Sequence, residues 1–211
     1  SEEKTDVIGR ENPQMKFGSD VLSRVHHVIA GNSENLSDEL LQGINALIRA
    51  ICSKNVVSPE DIYAVIVAGN TIMTHFFLGL DVRNIPVSPY IPAVNRGVFL
   101  KAREAVLLVN QNAVIYVLPN SGSYVGGDII SGIIFSGIYK EKDPVLFIDI
   151  GTNVEVTLGC SDWIMVGAGA AGPALEEGIA SIGAKAKPGT ICGVKIDRLD
   201  KKLHIDAISG E

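Results

Sequence analysis

The chain has 211 residues, 46% of them hydrophobic and 20% charged, with a formal net charge of −6. That is room for one large domain or two small ones around a buried core, and it excludes a disordered chain. The acidic balance, without any basic run, argues against a nucleic-acid partner, and no apolar run reaches the roughly 18 residues of a membrane span. There is no charged-then-apolar secretory start, so a cytoplasmic location is expected. Cys52, Cys160 and Cys192 lie far apart, without the short spacing of a zinc or iron–sulfur site. They read as reduced, mostly buried thiols.

In chain order, residues 1–12 are polar, and 12–20 read as a loop that launches a helix capped by Ser19 or Asp20. Val21, Leu22, Val25, Val28 and Ile29 recur at helical spacing, with His26 and His27 read as surface or rim histidines. The clearest helix is expected over 37–55, with Leu40, Leu41, Ile44, Leu47, Ile48 and Ile51 on its buried face. A short turn of helix follows at 58–61. Residues 62–68 read as a strand apolar on both faces, as in the centre of a parallel sheet.

That strand ends in Gly69-Asn70-Thr71, and a helix containing His75 is expected over 72–80. A strand, a small polar turn and a helix start form a ready anion site, although capping of the helix by Asn70 or Thr71 explains the same residues. Pro86, Pro89 and Pro92 make 82–95 an extended crossing segment. Residues 99–108 read as a short helix or strand, 113–118 as a strand, and 129–139 as a helix after a glycine-rich turn. Asp128 stands at that helix start, where it either caps or aims a carboxylate into a cleft to orient water or metal.

A charged link at 140–144 is the best boundary between two halves, 1–140 and 141–211. Beyond it, 145–150 reads as a buried strand, Gly151-Thr152-Asn153 as a turn, and 154–158 as a second strand. Val154, Val156 and Leu158 share one face of that strand, and Glu155 and Thr157 the other. Asp149 at the tip is an oxygen ligand suited to magnesium. Backbone N–H groups and Thr152 suit phosphate oxygens. A plain β-turn accounts for the same residue types. A third strand is expected at 164–167, then a small-residue loop, Ala168–Gly172, entering a helix with Pro173 in its first turn. Such a loop serves phosphate binding or close helix–sheet packing equally well. Two more strands are expected at 190–196 and 203–208. The whole reads as an α/β protein with a site built from several turns.

Five stretches, taken together and in order, carry a resemblance: Asn12-Pro-Gln with Gly18-Ser-Asp-Val-Leu-Ser-Arg24; Gly69-Asn-Thr-Ile-Met-Thr-His75; Leu118-Pro with Gly126-Gly-Asp128; Asp149-Ile-Gly-Thr-Asn153 with Glu155; and Ala171-Gly-Pro-Ala-Leu-Glu176. From about Asn12 onward the chain resembles the ATP-dependent reductive activators of corrinoid proteins. The resemblance implies a ribonuclease H-like, actin-like ATPase fold of two related halves. It implies an electron passed from an iron–sulfur cluster to a cobalt(II) corrinoid, driven by ATP. Asp149, Gly151, Thr152 and Asn153 match the second phosphate-binding hairpin, with Asp149 toward Mg²⁺. Gly172, Pro173 and Glu176 match the following loop and helix. Asn70, Thr71 and Asp128 match polar positions across the cleft.

Two departures stand out. Val154 replaces a usual glycine, and Leu175-Glu176-Glu177 replaces a usual Phe-Glu-Gly. The first phosphate hairpin would precede Asn12, the adenosine-binding glycine motif would follow Glu211, and the cluster cysteines would lie elsewhere. The chain is therefore expected to be an internal fragment, incomplete at both ends and nearly inactive alone. The expected partners are a corrinoid protein and ATP or ADP, and the resemblance also admits a homodimer. A sugar or acyl kinase of the same superfamily, and a non-catalytic docking module for the corrinoid protein, are the competing readings.

Overall fold

The computed structural model describes residues 6–31, 36–151, 153–169, 187–196 and 202–208. They fall into two compact units, Ser1–Asp149 with Glu155–Ala168, and Ile150–Val154 with Gly169–Glu211.

The first unit opens with a 3-10 turn at Pro13–Phe17, capped by the Asn12 side chain, which accepts from the Gln14 N–H. Helix α1, Val21–Ile29, starts on Asp20, whose carboxylate accepts from the Ser23 N–H at 2.9 Å. Of the two caps the sequence offered, Asp20 is the one used. Helix α2, Leu36–Asn55, carries Asp38 and Glu39 in its first turn, where the helix dipole favours negative charge. A 3-10 turn at Pro59–Asp61 leads into strand β1, Ala64–Val67. Helix α3 is Thr71–Phe77, β2 is Val98–Lys101, β3 is Val114–Val117 and α4 is Gly127–Ser136. Helix α4 stops on Gly137, whose φ of 71° suits a residue without a β-carbon.

The first sheet has the order β1-β3-β2, with β1 and β3 parallel and β2 antiparallel to β3. Its inner face buries Ile115 and Val117, and Leu40, Leu41, Ile44 and Ile48 of α2 pack against that cluster. A second cluster, built on Val25, Val28, Leu36, Ile72, Phe76, Val82 and Ile85, joins α1, α3 and the crossing segment. Each large aliphatic side chain buried this way contributes about 1.5–3 kcal/mol.

β1 departs from the expected central strand. It is a terminal strand of this sheet, and its outer face is exposed at Ile66, beside exposed Val114 and Phe99. Phe99 stacks on Tyr116 across the β2–β3 pair, with ring centroids 4.4 Å apart.

The second sheet has the order β4-β5-β6, from Val145–Ile150, Val154–Gly159 and Ile164–Gly169. Phe147 of β4 lies against Gly132 of α4, close enough that a β-carbon there would overlap the ring. On β5, the expected apolar face does not simply turn inward: Thr157 is fully buried, whereas Val156 is exposed. In the second unit, β7, Ile191–Ile196, and β8, Leu203–Ala207, pair antiparallel. Cys52 and Cys160 are buried and Cys192 exposed, all three free thiols. Among the described residues, no helix is long and apolar enough to cross a membrane.

Candidate functional site

β1 and β3 run parallel, so their carboxyl ends open on the same edge of the sheet. At the end of β1, Asn70 is the N-cap of α3: its Oδ1 accepts the Met73 N–H at 2.9 Å. Thr71 is buried, and its hydroxyl donates to the Gly122 carbonyl at 2.9 Å. Thr74 donates its hydroxyl to the Gly69 carbonyl at 3.3 Å. The capping role allowed for Asn70 is thus realised, and Thr71 ties the turn to the loop that follows β3.

That loop runs from Asn120 into α4. Its last residues lie directly on the Gly69-Asn70 backbone: the Asp128 N–H donates to the Gly69 carbonyl at 3.3 Å. A β-carbon on Gly126 would lie 2.6 Å from the same oxygen, and one on Gly127 would lie 3.0 Å from Leu118 Cβ. Small residues are what let the two turns meet. Gly126, the N-cap of α4, offers no side chain, and Asp128 sits in the first turn of the helix. Its Oδ1 accepts the Ile129 N–H at 2.8 Å.

The carboxyl of Asp128 is pushed above the ordinary range, chiefly by burial and further by the charge of Asp149. Glu155 on β5 is pushed up as well, first by burial and then by Asp128 and Asp149. Three carboxylates from α4, β4 and β5 therefore share one electrostatic neighbourhood. Among the described residues, no group of three or more His, Cys, Asp or Glu is arranged to hold a metal ion.

At the β4–β5 tip, within the second unit, the Gly151 N–H donates to the Asn153 carbonyl at 2.8 Å. Thr152, Gly172, Pro173 and Glu176 lie outside the described residues. The fold brings Asn70, Thr71 and Asp128 together and sets Asp149 in electrostatic reach of Asp128.

Three residues escaped the sequence-level site. Glu155 was visible only as part of a motif. His75 and Asn120 are buried polar residues within otherwise ordinary elements. The signal for His75 is a histidine one turn after a polar cap, on a helix otherwise rich in Ile, Met and Phe.

The turns after β1 and β3 gather small residues and the Asp128 carboxylate at one edge of a mixed sheet. The class is given by comparison with known proteins: residues 143–211 match the family model described as "C-terminal domain of RACo the ASKHA domain", the actin-like ATPase class. Residues 1–141 match the "RACo middle region", and the chain belongs to this family, the reductive activators of corrinoid proteins. It is 29% identical to a corrinoid activation enzyme, RamQ, of Eubacterium limosum, over 85% of this chain and 30% of that protein. It is 30% identical to a [Co(II) methylated amine-specific corrinoid protein] reductase of Methanosarcina barkeri, over 69% of this chain and 31% of that one. A solved structure, a reductive activator for corrinoid, iron–sulfur protein, matches with a TM-score of 0.79 and 41% identity, covering 92% of this chain and 31% of that one. The chain thus spans about a third of the length of these relatives.

Proposed function

We propose that this chain is the ATPase region of a protein that uses ATP to drive reduction of a cobalt(II) corrinoid to cobalt(I) on a corrinoid methyl-transfer protein. The names of its relatives support the reaction class, and the ASKHA match supports the nucleotide. The observation that carries the reading is Asp128. It is a half-buried carboxylate at the start of α4, raised by burial and by Asp149, and bonded through its N–H to the Gly69 turn.

In this reading the architecture is two ribonuclease H-like halves, 1–140 and 141–211. Asp149 would hold Mg²⁺, which would supply charge to neutralise the phosphates. The mutual repulsion of Asp128, Asp149 and Glu155 supports this part of the reading, because a divalent cation would relieve it. Asp128 orients the attacking water and takes up its proton, a task helped by a pKa shifted toward neutrality. Gly151, Thr152 and Asn153 hold phosphate oxygens, as do Gly172, Pro173 and Glu176. Asn70 and Thr71 serve the nucleotide site from the turn after β1, Thr71 by fixing that turn, since its hydroxyl is already engaged. An iron–sulfur cluster held outside these residues would supply the electron. Pairing into a homodimer and a cytoplasmic location complete the proposal.

The test uses the full-length protein, a corrinoid protein in its cobalt(II) state and a reductant too weak to reach cobalt(I) alone. The expected result is cobalt(I) absorbance that appears only with Mg-ATP and fails in Asp128→Asn. Equal reduction with and without ATP would refute it.

A further inference from the structure

His75 is fully buried on α3. Its Nδ1 lies 2.7 Å from the Thr71 carbonyl. Its Nε2 faces two donors, the N–H of Ala93 at 3.0 Å and that of Val94 at 3.4 Å. A nitrogen that meets two N–H groups must accept, so the proton sits on Nδ1 and is donated to Thr71. Burial also lowers the pKa of the ring, which keeps it neutral.

The segment it grips is itself a bridge. The Asn120 side chain donates to the Val94 carbonyl at 3.4 Å, and the Asn120 N–H donates to the Asn95 carbonyl at 2.9 Å. Asn120 is buried and opens the loop that ends in Gly126, Gly127 and Asp128. Further along that loop, the Ser123 hydroxyl donates to the Tyr90 carbonyl at 2.6 Å. One chain of bonds therefore runs from α3, through His75 and the 90–95 strap, to the loop that delivers Asp128.

We infer that His75, as the Nδ1–H tautomer, is a positioning residue for Asp128: it anchors the 90–95 strap, and the strap fixes the loop leading into α4. This rests on the role proposed for Asp128 in ATP hydrolysis. The crossing segment carries turns but neither helix nor strand. Without the imidazole, the N–H groups of Ala93 and Val94 lose their acceptor, and Asn120 is left holding a loose partner.

Two variants separate positioning from mere bulk. In His75→Gln, the side-chain oxygen reaches the place of Nε2 and can still accept from the strap. In His75→Asn, only the Nδ1 side is mimicked and the strap is released. In the full-length protein, hydrogen exchange across 90–95 and 120–126 should be about tenfold faster in His75→Asn and near wild type in His75→Gln. The kcat for Mg-ATP hydrolysis should fall about tenfold in His75→Asn at nearly constant KM, and recover in His75→Gln. Nitrogen-15 spectra of the wild-type ring should show a protonated Nδ1 and a bare Nε2.

A bare Nδ1, or unchanged exchange in His75→Asn, would overturn the inference. So would equal losses of kcat and melting temperature in both variants. A wild-type protein that hydrolyses no ATP would instead sink the nucleotide reading. The exchange and nitrogen-15 results would then decide the His75 tie by themselves.

Discussion

Gly126 and Asn70 touch backbone to backbone: a β-carbon built on Gly126 would overlap the Asn70 Cα and lie 2.7 Å from Asp128 Oδ1. The start of α4 and the start of α3 are held together by the absence of a side chain. Gly126 itself has φ −86° and ψ −178°, open to any residue, so the constraint is space alone.

Gly126→Ala should therefore force the two turns apart. Overpacking of this kind costs about 1–3 kcal/mol. The melting temperature should fall by several degrees, and nucleotide affinity should fall with it, because Asn70 and Asp128 no longer share an edge. Gly9→Ala is the control, since a β-carbon there meets nothing within 4 Å. Its melting temperature and affinity should match wild type.

Asp128 and Glu155 give the protein a signed pH dependence. Both carboxyls are raised from ordinary values of 3.8 and 4.5, so the folded state holds their protons more tightly than the unfolded chain does. Their contribution to stability is fully present below those ordinary values. It is lost as pH rises through the raised folded values and is flat above them. Asp128→Asn should flatten that slope in denaturant titrations and raise the melting temperature at neutral pH. The same substitution should lower ATP hydrolysis about 10²- to 10⁴-fold. Gain of stability with loss of activity distinguishes a functional carboxylate from a structural one.

Away from the site, Asn45 on α2 clamps one loop with both ends of its amide. Its Nδ2 donates to the Val106 carbonyl at 3.0 Å, and its Oδ1 accepts the Leu108 N–H at 2.8 Å. Asn45→Ala leaves both backbone groups unpartnered and should cost about 1–3 kcal/mol. Nucleotide affinity at saturating fold should not change, which calorimetry would check.

The elements were legible where periodicity was strong. The stripe of Leu40, Leu41, Ile44 and Ile48 gave α2, and the two apolar runs around Asp149 gave β4 and β5. The prolines kept 82–95 free of helix and strand. What periodicity could not supply was cover. β1 is apolar on both faces, but pattern alone does not say what lies against each, and Ile66 is exposed. Thr157 shows the converse: a hydroxyl assigned to the polar face of β5 is fully buried. Asp128 and Asn70 were visible as residue types at turns, yet their meeting depends on parallel pairing of β1 with β3, some 50 residues apart. The ties of His75 and Asn120 are long-range hydrogen bonds from residues with no motif of their own.

The central claim is that the acidic edge holds a magnesium nucleotide, and calorimetric titration of Mg-ADP into the full-length protein tests it most directly. Asp149→Asn serves as the comparison, since Asp149 is the residue assigned to the metal. The account predicts saturable binding in the wild type that the substitution weakens at least tenfold, with the difference vanishing when magnesium is removed. Binding of equal strength in both proteins, with or without magnesium, would contradict it.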